Sequence, residues 1–265
     1  MHTLKHYLFI LLAITTTLQA IDLDINMGTG FYYTGADGRI EYTDEGFAGS
    51  YSEVDLVSSG QFYIWGDFKS AISYLPILRL QYLKIIAEGD SKLHLEMDTS
   101  GFAPEVQQFI DLFNDQYWES ALSHNIYDVY LYYEFFEETP YPSLGIGGGL
   151  KSFDYAYNVA LVLPLHIGDR DSESVPMVFL HSRYELPSLQ LGFESESEIY
   201  IFGASRLYDV RAKMDLLFDI DESTKMGLEM GYRESFYDLR GSDVESVKAD
   251  MSYSGLYVGV MATFK

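Results

Sequence analysis

LQLGFESESEIYIFGASRLYDVRAKMDLLF, residues 189–218, carries charges at every second position on both sides of the small tripeptide Gly203-Ala204-Ser205. Strand residues alternate between two faces, so this spacing describes two strands joined by a tight turn. Glycine at the first position of a Gly203-Ala204 turn suits type II′ geometry. Glu196 then lies opposite Arg211, and Glu194 opposite Lys213. Centring the turn on Ala204-Ser205 instead sets Glu198 against Arg211 and Glu196 against Lys213. Either register lays a ladder of opposite charges on one face. The other face is apolar: Leu189, Leu191, Phe193, Ile199 and Ile201, then Tyr208, Val210, Met214, Leu216 and Phe218.

The same alternation runs through the chain. It recurs in Ile21–Met27, Leu78–Tyr82, Tyr127–Phe135, Leu144–Lys151, Met226–Arg233 and Leu256–Phe264, and less strongly near 54–69 and 174–185. About ten strands result, with eight to twelve compatible with the pattern. Connections alternate in length. Those at 70–76, 137–142, 186–187 and 220–224 are short, whereas 35–52, 89–123, 154–173 and 239–247 read as long loops. The tight 203–204 turn, on the long-loop side, is the exception. Apolar residues Val106, Phe109, Ile110, Phe113 and Tyr117 after Pro104 predict one short helix within 101–118, in an extracellular loop.

The first twenty residues, MHTLKHYLFILLAITTTLQA, have the order of a secretory signal: a basic start, an apolar run too short to span a bilayer, and a small residue at Ala20. Residues 1–20 are therefore expected to be removed, leaving 21–265 as a single domain. The chain has no cysteine, which excludes a disulfide scaffold and thiolate chemistry. Seventeen basic against forty acidic residues give a net charge of −23, which argues against nucleic acid as a partner.

A soluble barrel would turn its apolar face inward, and alternation alone does not separate the two cases. The export signal, the asymmetric connections and aromatic clusters near strand ends favour a membrane barrel. Those clusters are Phe31-Tyr32-Tyr33, Phe135-Phe136, and Tyr232 with Phe236 and Tyr237. The expectation is an all-β, single antiparallel transmembrane β-barrel with the charges in its lumen. Glu194, Glu196, Glu198, Arg211 and Lys213 form the ladder, and Arg79, Glu134, Lys151, Glu229 and Arg233 are further lumen charges.

On SRYELPSLQLGFESE (182–196), YDVRAKMDLLFD (208–219), MGLEMGYRE (226–234) and YSGLYVGVMATF (253–264), the chain resembles an uncharacterised family of small bacterial outer-membrane β-barrel proteins. That resemblance implies location in the bacterial outer membrane, with membrane lipid and the barrel-insertion machinery as partners. It implies no catalytic residues. Such barrels commonly end in an aromatic residue, whereas here Lys265 follows Phe264, with a possible effect on insertion efficiency.

The remaining chemistry is sparse. His94, His124, His166 and His181 have no specified nucleophile. His181 and Ser182 are adjacent on a strand and face opposite ways. His166 and Asp169 sit in an expected loop and read as solvated residues. The glutamates at 194, 196 and 198 offer oxygen ligands to a hard cation, but their basic partners point to a neutralised ladder instead. GIGGG at 145–149 lacks the lysine-serine ending of a phosphate loop and reads as small residues in a crowded wall. No cofactor, metal or catalytic set is expected. The function classes are a narrow channel with mild cation preference, a non-conducting surface barrel acting through its loops, and, last, a hydrolase at the rim.

Overall fold

The computed structural model describes residues 23–44, 47–58, 61–72, 74–97, 108, 111–112, 116–136, 142–160, 166–201, 206–240 and 247–265. The expected signal segment lies outside them. Eleven strands follow in order: β1 (Leu23–Asp44), β2 (Phe47–Ser58), β3 (Gln61–Ser70), β4 (Ile77–Met97), β5 (Gln116–Phe135), β6 (Ser143–Ala160), β7 (His166–Leu186), β8 (Leu191–Ile199), β9 (Arg206–Asp219), β10 (Thr224–Arg240) and β11 (Val247–Phe264). All neighbouring pairs are antiparallel, and β11 pairs with β1 to close the sheet.

Strands β2 and β3 share one place in the wall. β3 pairs with the first part of β1, from Leu23 to Tyr32, and β2 with the part from Gly35 to Asp44. On the other side, β3 pairs with β4 at Leu78–Lys84 and β2 pairs with β4 from Ala87 to Met97. The barrel therefore has ten wall positions, as expected, and β11 closes on β1; β7 pairs with β8 only over Val178–Leu186, so among the described residues His166–Met177 are paired on the β6 side alone.

Leu23, Lys265 and the connections β3–β4, β5–β6, β7–β8 and β9–β10 lie at one end, here called the turn end. The β7–β8 connection is a 3-10 turn at Pro187–Leu189. It closes at Gln190, a left-handed residue with φ 57° whose N–H donates to Pro187 O at 3.2 Å. Leu189 thus belongs to a turn, not to the strand face where the alternation placed it. At β9–β10, Asp221 Oδ1 accepts from Ser223 N–H at 2.9 Å, and Lys265 N–H donates to Ser223 O at 2.9 Å.

The other end corrects the expectation of long loops. Residues 35–44 and 47–52, 89–97 and 116–123, and 154–160 and 166–173 are paired strand. β5, with 20 residues, is about 66 Å long at ~3.3 Å per residue. A transmembrane strand needs only about 9–11 residues, so the walls continue well past a bilayer. Of the expected helix at 101–118, Gln108, Asp111 and Leu112 are helical, Gln116, Tyr117 and Trp118 belong to β5, and the rest lies outside the described residues.

The exterior shows where the bilayer belongs. Exposed Phe31, Ile64, Leu80, Val129, Leu131, Ile146, Val210, Met214, Leu228, Val258 and Val260 form a belt around the turn-end half of the wall. Farther along the same outward positions the residues become polar: Ser152 and Asp154 on β6, Ser172 and Ser174 on β7, Glu234 and Asp238 on β10, and Asp250 and Ser252 on β11. Tyr82 and Tyr127, with ring centroids 5.1 Å apart, and Tyr208 with Phe236, 5.6 Å apart, mark the change. The aromatic clusters divide by parity within the strands. Phe31, Tyr33, Phe135 and Tyr232 point outward, but Tyr32 and Tyr237 are buried inside. Phe136, just past the end of β5 with φ 66°, is exposed.

Candidate functional site in the barrel interior

The β8–β9 register sets Glu194 opposite Lys213 and Glu196 opposite Arg211, the pairing that a Gly203-Ala204 turn requires. The turn residues 202–205 themselves lie outside the described residues. Glu194 Oε1 is 3.1 Å from Lys213 Nζ, and Glu196 Oε2 is 2.5 Å from Arg211 Nη2. Neither pair is closed on itself. Arg79, reaching across from β4, is ion-paired with Glu196 and donates to both oxygens of Asp67 at 3.0 and 2.8 Å. Lys213 also meets Glu229 at 3.3 Å, and Glu229 accepts from Tyr63 Oη at 2.7 Å and Trp65 Nε1 at 3.0 Å. Trp65 stacks against the cations, with Lys213 Nζ 3.8 Å from its ring centre.

A second layer lies farther from the turn end. Glu198 faces not a cation but Asp209 across the β8–β9 pair. Two carboxylates directly opposite would repel. Lys151 of β6 enters between them, with Nζ 2.6 Å from Glu198, 3.1 Å from Asp209 and 2.9 Å from Asp128. Arg233 closes on Asp209 at 2.5 and 2.8 Å. Gln81 joins the layers, donating to Asp128 at 2.9 Å and accepting from Arg211 at 3.2 Å. Beyond this, Phe153, Tyr237, His124 and Tyr253 pack ring against ring, at centroid separations of 4.9 to 5.9 Å.

The β6 wall makes room for these rings. Tyr130 and Tyr132 of β5 pair with Gly149 and Gly147. A Cβ on either glycine would collide with the β5 backbone at Val129 O or Leu131 O. GIGGG is thus the crowded wall the sequence suggested.

At the turn end the interior opens into a cavity of about 660 Å³, lined by Trp65, Asp67, Tyr132, Glu134, His181, Arg183 and Glu194 among others. Arg183 spans its floor, donating to both oxygens of Asp215 at 2.9 and 3.1 Å and to Glu194 at 3.0 Å.

Every charge named from the sequence is on the inner face. Arg79, Lys151, Glu194, Glu196, Glu198, Arg211, Lys213, Glu229 and Arg233 are buried, and Glu134 is half-buried at the cavity. Asp67, Gln81, Asp128, Asp209, Asp215 and Arg183 were not singled out. Asp209 and Asp215 continue the β9 alternation, which was signal enough to find them. Cross-lumen partners such as Arg79 of β4 and Glu196 of β8 have no local signal, because the curved wall brings distant strands face to face. His181 and His124 are buried, not solvated. Ser182 faces away from His181 as strand parity requires. His166 and Asp169 lie three residues apart on β7, so the loop expected to join them is strand, and their side chains lie outside the described residues.

No protein-family model matches the chain, and no curated protein is similar to it in sequence. Solved structures are similar. The outer-membrane protease OmpT of Escherichia coli superposes with a TM-score of 0.51 at 9% identity, over 91% of this chain and 96% of that one. Neisserial surface protein A (TM-score 0.32, 12% identity, 90% and 95% covered) and OprG of Pseudomonas aeruginosa (0.34, 10%, 92% and 97%) are also similar. The likeness of fold rests on the first. With its closed ten-position wall and apolar exterior, the chain has the fold of the small bacterial outer-membrane β-barrel proteins.

Proposed function

We propose that the protein is a non-conducting barrel of the bacterial outer membrane, a rigid support that carries its paired, polar-faced strands beyond the lipid surface. The observation that carries this reading is Lys151: it has no solvent exposure and is held by three carboxylates at 2.6 to 3.1 Å in mid-lumen. A cation-preferring pore needs unpaired carboxylates along a water path. Here the lumen carboxylates are engaged by Arg79, Lys151, Arg211, Lys213 and Arg233, and the aromatic layer sits beyond them. Filling by side chains is familiar in barrels of about eight strands, and long charged and aromatic residues extend it to ten. No residue is assigned a catalytic role, and the protease activity in OmpT's name is a property of OmpT.

Planar-bilayer recording of the refolded chain from residue 21 tests the proposal. A folded barrel that produces no discrete current steps supports it. Reproducible cation-preferring steps would overturn it and give the charge ladder a transport role.

A further inference from the structure

The cavity at the turn end holds one polar atom that the ion-pair layers leave unused. His181 is 6% exposed, and its Nδ1 makes no hydrogen bond. That nitrogen is 4.0 Å from Oε1 of Glu134, while Nε2 on the opposite side of the ring is 3.8 Å from Oε1 of Glu194. All three residues line the cavity.

We propose that His181 Nδ1 and Glu134 form a binding site for a divalent transition-metal cation such as Zn²⁺, completed by water in the cavity. An imidazole nitrogen and a carboxylate oxygen are ordinary ligands for such an ion, and the adjoining cavity has room for water in the remaining positions. A ligating histidine commonly turns its other nitrogen toward a carboxylate, which fixes the tautomer. Glu194 is placed for that role. Its own charge is secured by Lys213 at 3.1 Å and Arg183 at 3.0 Å.

The other side of the ring does not suit a metal. His181, Glu194 and Glu196 bring ligand atoms within 4.8 Å of one another. Glu196, however, is already paired with Arg79 and Arg211, and a dication there would meet two guanidinium groups. On the Nδ1 side, Lys69 Nζ lies 3.8 Å from Glu134 Oε2, the oxygen of that carboxylate farther from the imidazole contact, and leaves Oε1 facing His181. Ser143 Oγ donates to Glu134 Oε1 at 2.5 Å and steadies the carboxylate. Tetrahedral coordination at about 2.1 Å asks for a nitrogen-to-oxygen separation of roughly 3.4 Å, a modest swing of a half-buried side chain.

The test is calorimetric titration of the refolded chain, prepared without a polyhistidine tag, with Zn²⁺ alone. One saturable equivalent is expected. Glu134→Gln should weaken it by about tenfold or more and His181→Gln should abolish it, each with folded electrophoretic mobility retained. No saturable binding by the parent chain would overturn the proposal, as would binding unchanged in Glu134→Gln. If His181→Gln does not fold, Glu134→Gln decides alone, because its side chain is at the cavity and outside the ion-pair layers.

Discussion

The ammonium of Lys151 lies 2.6 Å from Oε2 of Glu198, although β6 and β8 are not neighbours in the wall. This contact, made over the intervening β7, resolves a local conflict, since Glu198 is opposite Asp209 on the adjoining strand. A buried cation shared by three carboxylates cannot be removed alone. Lys151→Met should cost about 3–5 kcal/mol, because it leaves uncompensated charges in the interior. Urea unfolding in detergent or lipid checks this. Adding Asp128→Asn and Glu198→Gln to Lys151→Met should recover part of the loss, since fewer charges are then stranded.

The β8–β9 ladder gives a second test. Reversing Arg211 to Glu should destabilise the barrel, with partial rescue by Glu196→Arg. Rescue must be incomplete because Glu196 also serves Arg79, which would then face a new cation. A double-mutant cycle should report a coupling between 196 and 211 of about 1–3 kcal/mol. A coupling near zero would remove the ladder as a stabilising unit.

How far the sequence could be read follows from these residues. Wherever one face met lipid, apolar and charged positions alternated, so β8, β9 and the turn-end halves of the other strands were legible, as was a charge ladder between β8 and β9; of the two registers the sequence allowed, the structure has Glu194 opposite Lys213. Above the belt the signal fades for a physical reason. Outward Ser152, Asp154, Ser172 and Ser174 are as polar as a loop, while their backbones keep pairing. Long strand therefore read as long loop. The ion-pair partners across the lumen were illegible on other grounds. Arg79 of β4 and Glu196 of β8, four strands apart in the wall, meet across the lumen, which no local pattern encodes.

The glycines of β6 should differ sharply in tolerance. At Gly147 a Cβ meets Leu131 O and the Cα and Cβ of Tyr132, and at Gly149 it meets Val129 O and the ring of Tyr130, whereas at Gly148 its nearest contact is Met177 O at 3.3 Å. Gly147→Val or Gly149→Val should block refolding, measured as loss of the folded electrophoretic form. Gly148→Ala, on the exposed outer face, should fold as the parent does.

The position of the bilayer makes the last prediction, and the absence of cysteine allows it to be tested cleanly. Outward residues change from apolar to polar along β6 between Leu150 and Asp154, and along β11 between Leu256 and Ser252. Burying apolar side chains in lipid while leaving polar ones in water fixes the barrel's depth to within a few residues. Single cysteines at Ser152, Ser252 and Ser254 should react with a membrane-impermeant maleimide in proteoliposomes carrying the barrel. Cysteines at Ile146, Val258 and Val260 should be protected until detergent is added. Strong labelling at 146 or 258 in intact vesicles would show that the apolar belt is not the lipid contact. It would return the choice between membrane and soluble barrel to the point where alternation alone had left it.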